Sequence, residues 1–313
     1  MIERPIDVLH HHPVRKTDNQ KSAFADDILG YARRFGYSAS VENGKKGVRN
    51  VIIGDLQKAK YLITAHYDTP SSIGLPNLIV PNNPFWYITV QFLLVGILLG
   101  VSVGVGYLSW LFIRNDLAAF YIGYVVYLII ILLMRFGPAN PSNANDNTSG
   151  VVTLLEILTV MPEENREQVC FVLFDKEELG LVGSKVFRQS HKEETENLVV
   201  LNLDCVGDGD VIQFTPVKNA RTNTPLLFGL SRVCGKFESK EIILRDKGFY
   251  GGNSDHKSFP NGVAVMAFKQ QKGIGLYLNR IHTWRDIKLD YSNVLLLRDA
   301  ILSLISAPEE SVV

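Results

Sequence analysis

A long uncharged segment constrains this chain more than any other feature of its sequence. From Phe85 to Ile113 no side chain is an aspartate, glutamate, lysine or arginine. The segment exceeds the roughly 20 residues that an α-helix needs to cross the hydrocarbon core of a bilayer. Aromatic residues stand at its borders, as they do where membrane helices meet the lipid headgroups. The segment therefore predicts a transmembrane helix.

A second apolar segment, residues 117–134, follows directly after the short polar segment Arg114–Asp116. The alternative to a membrane hairpin is a pair of buried core helices in a soluble fold. Two adjacent uncharged segments of this length are atypical of such a pair. We therefore predict an integral membrane protein with an inserted two-helix transmembrane hairpin over residues 79–138. Its helices are expected at about 85–113 and 117–134.

Small residues recur at every fourth position in both predicted helices. They are Gly96, Gly100 and Gly104 in the first helix and Ala119 and Gly123 in the second. Small residues at this spacing let helix backbones approach closely in lipid. The partner is either the other helix of the hairpin or a second copy of the chain. The Gly96/Gly100/Gly104 face is therefore a candidate contact for a homo-oligomer.

The segments on either side of the hairpin, 1–78 and 139–313, have the pattern of one discontinuous globular domain. Short apolar runs such as "KYLITAH" and "QVCFVLF" alternate with helical patterns such as "GVVTLLEILTVM". Strands that alternate with helices indicate an α/β fold. We expect a mostly parallel central sheet that is sandwiched by helices.

The charge balance and the cysteines limit the partners and the compartment. The chain has 32 Lys+Arg and 32 Asp+Glu, so it lacks the basic surplus with which proteins neutralise nucleic-acid phosphates. Its 3 cysteines are unpaired by pattern, and its polar N-terminus lacks a signal-peptide core. These features favour the cytoplasm for both globular segments, which a hairpin leaves on the same side. The run His10–His12 is either an exposed segment or a metal-binding tract.

Histidines and carboxylates lie at the ends of the apolar runs that are predicted as strands, and one carboxylate lies just before a helical pattern. The set comprises His66, Asp68, Asp146, Glu177, Glu178, Asp204 and His282. In open α/β sheets, ligands bind at the carboxyl ends of the strands. Imidazole and carboxylate ligands suit Zn²⁺, Mn²⁺ or Co²⁺ better than thiolate chemistry. The sequence therefore predicts a site for divalent metal ions.

The motifs HYD, NDNTSG, EELGLVGS, NLD and IHT, in this order, resemble those of the co-catalytic zinc aminopeptidases, peptidase family M28. The resemblance covers nearly all of the chain outside the hairpin. It implies that two divalent ions, preferably Zn²⁺, are bridged by Asp146. His66 and Asp204 then complete the ligands of one ion, and Glu178 and His282 complete those of the other.

The resemblance also implies catalytic roles for Glu177 and Asp68. Glu177 becomes the general base that activates a metal-bound water, and Asp68 orients the imidazole of His66. A turn-stabilising carboxylate is the alternative for Asp68. The segment "GGNSDHKSF" also resembles a family element near the substrate, so His256 is a candidate substrate contact, with structural support as the alternative. Tyr250, which directly precedes the segment, is a candidate for polarising the substrate carbonyl.

The function implied by the resemblance is that of a membrane-anchored metallo-aminopeptidase. In soluble relatives the connection between the equivalents of His66 and Asp146 is far shorter. The hairpin is therefore expected to extend from the face of the domain that carries the metal ions. That placement favours hydrophobic or membrane-associated peptide substrates. The alternatives on the same fold are a glutaminyl-cyclase-like acyltransferase with one metal ion and an inactive receptor or scaffold. Complete ligands for two ions argue against both alternatives.

Overall fold

The computed structural model describes residues 2–72, 77–237 and 239–306; the remaining parts of the predicted globular segments lie outside the described residues. One sheet forms the centre of the protein, and it contains nine strands within these ranges. In chain order they are β1 (Ala39–Gly44), β2 (Val48–Ile53), β3 (Tyr61–His66), β4 (Val169–Phe174), β5 (Val199–Leu203), β6 (Val211–Pro216), β7 (Glu241–Leu244), β8 (Gly262–Gln271) and β9 (Gly275–Tyr277).

The sheet is mixed, with its parallel part at the centre. The strand order is β1-β2-β4-β3-β5-β8-β6-β7, and β9 pairs with β8. The neighbours β4, β3, β5 and β8 run parallel to one another, and β6 and β7 form a further parallel pair. The pairs β1–β2, β2–β4 and β6–β8 are antiparallel. The predicted α/β class is confirmed. The antiparallel pairs make the sheet less parallel than expected, because short turns such as the one between β1 and β2 can join only antiparallel strands.

Eight α-helices lie within the described ranges. They are α1 (Val8–His11), α2 (Asp18–Arg34), α3 (Pro84–Ile113), α4 (Asp116–Phe136), α5 (Gly150–Val160), α6 (Val182–Ser190), α7 (Thr224–Cys234) and α8 (Tyr291–Ile305). Alternate side chains of the strands enter cores on opposite faces of the sheet. Ile63 packs in the larger core with residues of α2, α5 and α8, while Leu62 packs in the smaller core with Phe187 of α6.

The helices α3 and α4 coincide closely with the two predicted transmembrane segments, and both are long and apolar enough to cross a membrane. Each begins at an asparagine whose side chain accepts hydrogen bonds from the first free amides, Asn83 for α3 and Asn115 for α4. Their large apolar side chains are exposed, as Phe112 is at 87%. A soluble fold would bury such side chains, whereas a bilayer would solvate them.

Small residues let α3 and α4 pack closely against each other. A Cβ atom on Gly106 would lie 2.9 Å from the carbonyl oxygen of Ala119, and one on Gly123 would lie 2.8 Å from that of Ser102. Either contact is closer than side chains tolerate, so both positions require glycine at this helix separation. The two helices of the hairpin therefore pack on each other, as one of the two sequence alternatives expected.

The first glycine series lies on a different face of α3. A Cβ atom on Gly96, Gly100 or Gly104 would meet nothing within 4 Å among the described residues. The contact between α3 and α4 therefore does not use this series. Its role in a homo-oligomer stays a prediction.

We predict that Gly123→Leu loosens the hairpin and that Gly100→Leu does not. Both changes replace a helical glycine by the same residue, but only the first drives a side chain into the backbone of the other helix. Overpacking of this kind costs about 1–3 kcal/mol. Thermal unfolding in detergent should show a lower melting temperature for Gly123→Leu alone. Equal losses in the two variants would contradict the packing described here.

Candidate metal centre

Parallel strand pairing brings three of the predicted site segments to one edge of the sheet. His66 ends β3 and pairs in register with Phe174, which ends the neighbouring β4. Glu177 and Glu178 lie in the loop between β4 and α6, and Asp204 directly follows β5. The carboxyl ends of parallel neighbours meet at the same edge, so these side chains converge although they are distant in the sequence.

Two clusters of side chains able to hold a metal ion share Asp146. One cluster contains His66 and Asp204, the other Glu178 and His282, and within each the ligand atoms lie within 4.8 Å of one another. The Oδ1 atom of Asp146 lies 3.2 Å from Nε2 of His66, while its Oδ2 atom lies 2.9 Å from Nε2 of His282. The two oxygens of one carboxylate thus face different clusters, which is the arrangement of a bridging ligand.

The remaining ligand separations also suit metal ions. Nε2 of His66 lies 3.8 Å from Oδ1 of Asp204, and Nε2 of His282 lies 3.6 Å from Oε2 of Glu178. A tetrahedral ion with bonds of about 2.0 Å separates its ligand atoms by roughly 3.3 Å. Three side chains in each cluster leave a fourth position open, as in catalytic zinc sites.

The glutamate pair lies where an ionised carboxylate is costly. Oε1 of Glu178 is buried and has no hydrogen-bond partner among the described residues. Burial raises the pKa of Glu178 to about 8, and burial raises the pKa of Glu177 well above its ordinary value. Buried carboxylates that crowd together resist ionisation, and a divalent cation removes that cost. The residues at this site therefore fit metal ions.

The two imidazoles respond to the same crowding in the opposite direction. Burial lowers the pKa of His282, but the charges of Glu178 and Asp146 outweigh burial and raise it to about 10. Burial also lowers the pKa of His66, and hydrogen bonds with Asp146 and Asp204 raise it well above its ordinary value. Each imidazole thus occupies a position where positive charge is stabilised.

Asp68 holds the backbone of the glutamate pair. Its Oδ1 atom accepts a hydrogen bond from the amide of Glu177 at 2.9 Å, and its Oδ2 atom accepts one from the amide of Glu178 at 3.3 Å. Oδ1 also lies 3.5 Å from Nδ1 of His66, but Nδ1 makes no hydrogen bond among the described residues. The contact with the two amides is one that sequence reasoning missed. The orientation of His66 by Asp68 stays a prediction.

The polar loop that precedes α5 is fixed by its own asparagines. The amide nitrogen of the Asn147 side chain donates to the carbonyl oxygens of His66 and Leu203, at the ends of β3 and β5. Oδ1 of Asn145 accepts a hydrogen bond from the amide of Gly207 at 2.6 Å. These buried amides tie the loop to two strand ends and thereby position Asp146 between them.

Two buried residues that the sequence analysis did not select also position this loop. The carboxylate of Asp286 accepts hydrogen bonds from the amides of Asn145 at 2.9 Å and Asp146 at 3.0 Å. The guanidinium of Arg15 donates to the carbonyl oxygen of Tyr67 and to Oγ1 of Thr148. Asp286 lies four residues after His282, beyond the IHT motif, and Arg15 belongs to none of the motifs.

Tyr250 and His256 lie outside the two clusters. The hydroxyl of Tyr250 donates to Sδ of Met266 at 2.9 Å, and its ring centroid lies 6.2 Å from that of His256. His256 is buried, and burial lowers its pKa to about 3, so its imidazole stays neutral. Their predicted roles as substrate contacts stay predictions.

The base of the hairpin touches the loops around the metal centre. The guanidinium of Arg135, in the last turn of α4, donates to the carbonyl oxygen of Leu179 at 2.5 Å. Leu179 directly follows Glu178. Near the start of α3, the ring of Tyr87 packs on Phe249 with centroids 5.5 Å apart. The hairpin is therefore attached on the side of the domain that carries the clusters.

Comparison with known proteins supports the sequence resemblance. The model of Peptidase family M28 matches residues 133–300, more than half of the chain. Aminopeptidase YwaD of Bacillus subtilis (strain 168) is 34% identical over 131 residues, a match that covers 39% of this chain and 27% of the relative. The match therefore spans well under two thirds of the length of that relative.

Solved structures share the fold at low identity. The glutaminyl cyclase of Porphyromonas gingivalis superposes with a TM-score of 0.62 at 15% identity, covering 96% of both chains. A Zn-dependent exopeptidase from Parabacteroides distasonis gives 0.58 at 15% identity, covering 97% of this chain and 95% of the other. The LapA aminopeptidase of Legionella pneumophila gives 0.58 at 15% identity, covering 97% and 68%. These likenesses show the fold, and the family match over more than half of the chain shows that it belongs to peptidase family M28.

Proposed function

We propose that this protein is a membrane-anchored aminopeptidase with two zinc ions. The observation that carries the proposal is the position of Asp146, whose two carboxylate oxygens face two different His-carboxylate clusters. A single-metal enzyme has no use for the second cluster, and a scaffold has no use for either. Family membership and the name of the curated relative support peptide hydrolysis.

Each ion would be held by three side chains. His66, Asp146 and Asp204 would hold one, and Asp146, Glu178 and His282 would hold the other. When bound, two divalent cations polarise a peptide carbonyl and make water more acidic. The chain itself supplies the fixed ligand positions and a low-dielectric surrounding, in which these charges act strongly.

Glu177 is the proposed general base. Its side chain lies within 4.8 Å of ligand atoms of His66 and Glu178, and the bond between its amide and Asp68 fixes its backbone. It takes a proton from the attacking water and delivers that proton to the nitrogen of the leaving amine.

Selectivity for a free N-terminus follows from the charge of the site. Asp255 is a buried carboxylate that holds no ion in this assignment, and neither of its oxygens has a hydrogen-bond partner among the described residues. Such a carboxylate attracts the protonated α-amine of a peptide more strongly than a neutral internal amide. Exopeptidase action at the N-terminus is therefore the proposed reaction.

The hairpin adds a preference for substrates near lipid. We propose that α3 and α4 cross the bilayer and that the globular domain lies on its cytoplasmic side, where free cysteines such as Cys170, Cys205 and Cys234 persist. The contacts of Arg135 with Leu179 and of Tyr87 with Phe249 keep the metal centre near the hairpin base. Hydrophobic or membrane-associated peptides are the proposed substrates.

Cyclisation of N-terminal glutamine is the second candidate, because the fold is shared with a glutaminyl cyclase. That reaction is an acyl transfer within the substrate and needs one metal ion. The two clusters that share Asp146 favour hydrolysis over this candidate. Metal stoichiometry together with the reaction product separates the two functions.

We predict that Glu177→Gln abolishes most of the activity without removing metal. An amide cannot accept the proton of water, so kcat on an aminoacyl p-nitroanilide should fall about 10²- to 10⁴-fold. Two zinc ions per chain should remain by elemental analysis. Glu164→Gln, which changes an exposed glutamate in the same way, should retain full activity. One zinc ion per chain in the wild type, with cyclised rather than hydrolysed product, would instead support the cyclase.

We further predict that the hairpin determines the preference for lipid-bound substrates. The same peptide should be offered free in solution and anchored to vesicles by an acyl chain. Replacing Phe85–Met134 by a short linker should lower the ratio of anchored to free cleavage rates about 10²-fold, because the enzyme loses its high effective concentration at the membrane. An unchanged ratio would refute the proposed substrate class.

A further inference from the structure

A basic segment of the chain lies beside the metal centre. Residues 269–288 cover the end of β8, strand β9 and the loop that carries His282. We call this segment the basic rim. It contains five basic side chains and one acid, which is Asp286 and is buried, whereas charges balance over the whole chain. The basic side chains are Lys269, Lys272, Arg280, Arg285 and Lys288. Lys269 and Arg280 form ion pairs with the buried carboxylate of Asp208, and Lys288 lies 3.6 Å from it. The exposed cations of the rim are Lys272, Arg285 and Lys288.

The basic rim also exposes two large apolar side chains. Trp284 is 69% exposed and Ile287 is 73% exposed, and the basic residues Arg285 and Lys288 that follow them are exposed as well. A tryptophan and an aliphatic residue interleaved with cations is the composition of segments that lie at the membrane interface. Contact with water alone does not explain why these apolar side chains are exposed beside the cations.

The start of the hairpin touches the basic rim. The indole nitrogen of Trp86, in the first turn of α3, donates to the carbonyl oxygen of Gly273, in the turn between β8 and β9. Just before α3, Ile79 and Leu278 exchange backbone hydrogen bonds of 2.8 and 2.9 Å. The β8–β9 turn is thus at the level of the aromatic residues that begin the predicted membrane span.

The loop that carries His282 is attached to both connections of the hairpin. The side chain of Asn77, before α3, donates to the carbonyl oxygen of Ile281 at 3.2 Å. The side chain of Asn140, after α4, donates to the carbonyl oxygen of Thr283 at 3.1 Å. Trp284 is the next residue after Thr283. The apolar residues of the rim therefore continue the surface from which the hairpin leaves the domain.

We propose that the basic rim rests on the anionic headgroups of the same bilayer that α3 and α4 cross, with Trp284 and Ile287 inserted among them. The inference depends on the membrane-spanning part of the proposed function. Its partner is anionic lipid, because the rim combines exposed cations, exposed apolar side chains and continuity with the hairpin. Attraction of this kind grows with the fraction of anionic lipid and weakens with salt.

The same loop connects the lipid contact to the metal centre. Its inner side chains are His282, which faces Asp146, and Asp286, which holds the backbone of the Asp146 loop. Its outer side chains, Trp284 and Ile287, are the proposed lipid contacts. Lipid would thus contact the outer side chains of a loop whose inner side chains form part of the site. This contact would place the opening of the site at the headgroups.

The test uses the full-length chain with an environment-sensitive NBD fluorophore on Ile287→Cys. Cys234→Ser removes the partly exposed thiol, while Cys170 and Cys205 are buried. Two matched labels serve as controls, one on Phe120→Cys in α4 and one on Phe228→Cys in α7. The protein is reconstituted in vesicles of phosphatidylcholine, with or without phosphatidylglycerol, in which part of the lipid is brominated.

We expect the label at position 287 to shift to the blue and to be quenched by brominated lipid when phosphatidylglycerol is present. Lys272→Gln, Arg285→Gln and Lys288→Gln together should reduce the quenching to the level seen in phosphatidylcholine alone. The label at 120 should be quenched in both lipids, and the label at 228 in neither.

Three outcomes would overturn the inference. If label 287 behaves like label 228 while label 120 is quenched, the hairpin crosses the bilayer but the rim does not touch it. If label 120 is also unquenched, the membrane-spanning part of the proposed function fails and the inference fails with it. If label 287 is unquenched and Trp284→Ala raises KM for a soluble aminoacyl substrate in detergent, Trp284 contacts substrate rather than lipid.

Discussion

The architecture depends on one carboxylate, Asp146, placed between two imidazoles at the carboxyl edge of the sheet. Burying a carboxylate among other acids costs free energy unless a positive charge compensates it. The chain meets this cost on both sides of Asp146, with His66 and His282. Much of the polar structure around the site then holds this one side chain in place, as the bonds of Asp286 to the loop backbone show.

Sequence reasoning predicted that these side chains converge because a simple rule governs their positions. Side chains such as His66 and Asp204 that follow buried parallel strands must meet at one edge, whatever the exact course of the loops. The two apolar helices were equally predictable, since the length of an apolar segment and its lack of charged residues decide whether it can span a membrane. Asp68 was recognised as part of the site, but its bonds to two loop amides depend on a conformation that no residue pattern encodes. Arg15 was missed for the same reason.

The hairpin and the metal centre share a boundary. The hairpin is inserted between His66, the proposed first ligand, and Asp146, the proposed bridging ligand. It must therefore leave the domain at the edge of the sheet that holds both residues. Arg135 on α4 contacts the glutamate loop, and Trp86 on α3 contacts the β8–β9 turn. Movement of the hairpin relative to the sheet would therefore disturb the loops that form the site. In the proposed account, anchoring in lipid and positioning of the site are parts of one structure.

The most direct test of the account is the metal content of Asp146→Asn. An asparagine side chain retains the shape of the carboxylate but lacks the second anionic oxygen that bridges two ions. This variant should therefore lose both zinc ions under dialysis, whereas Asp204→Asn, which alters one cluster only, should retain one. Retention of two zinc ions by folded Asp146→Asn would contradict the central role assigned to this carboxylate.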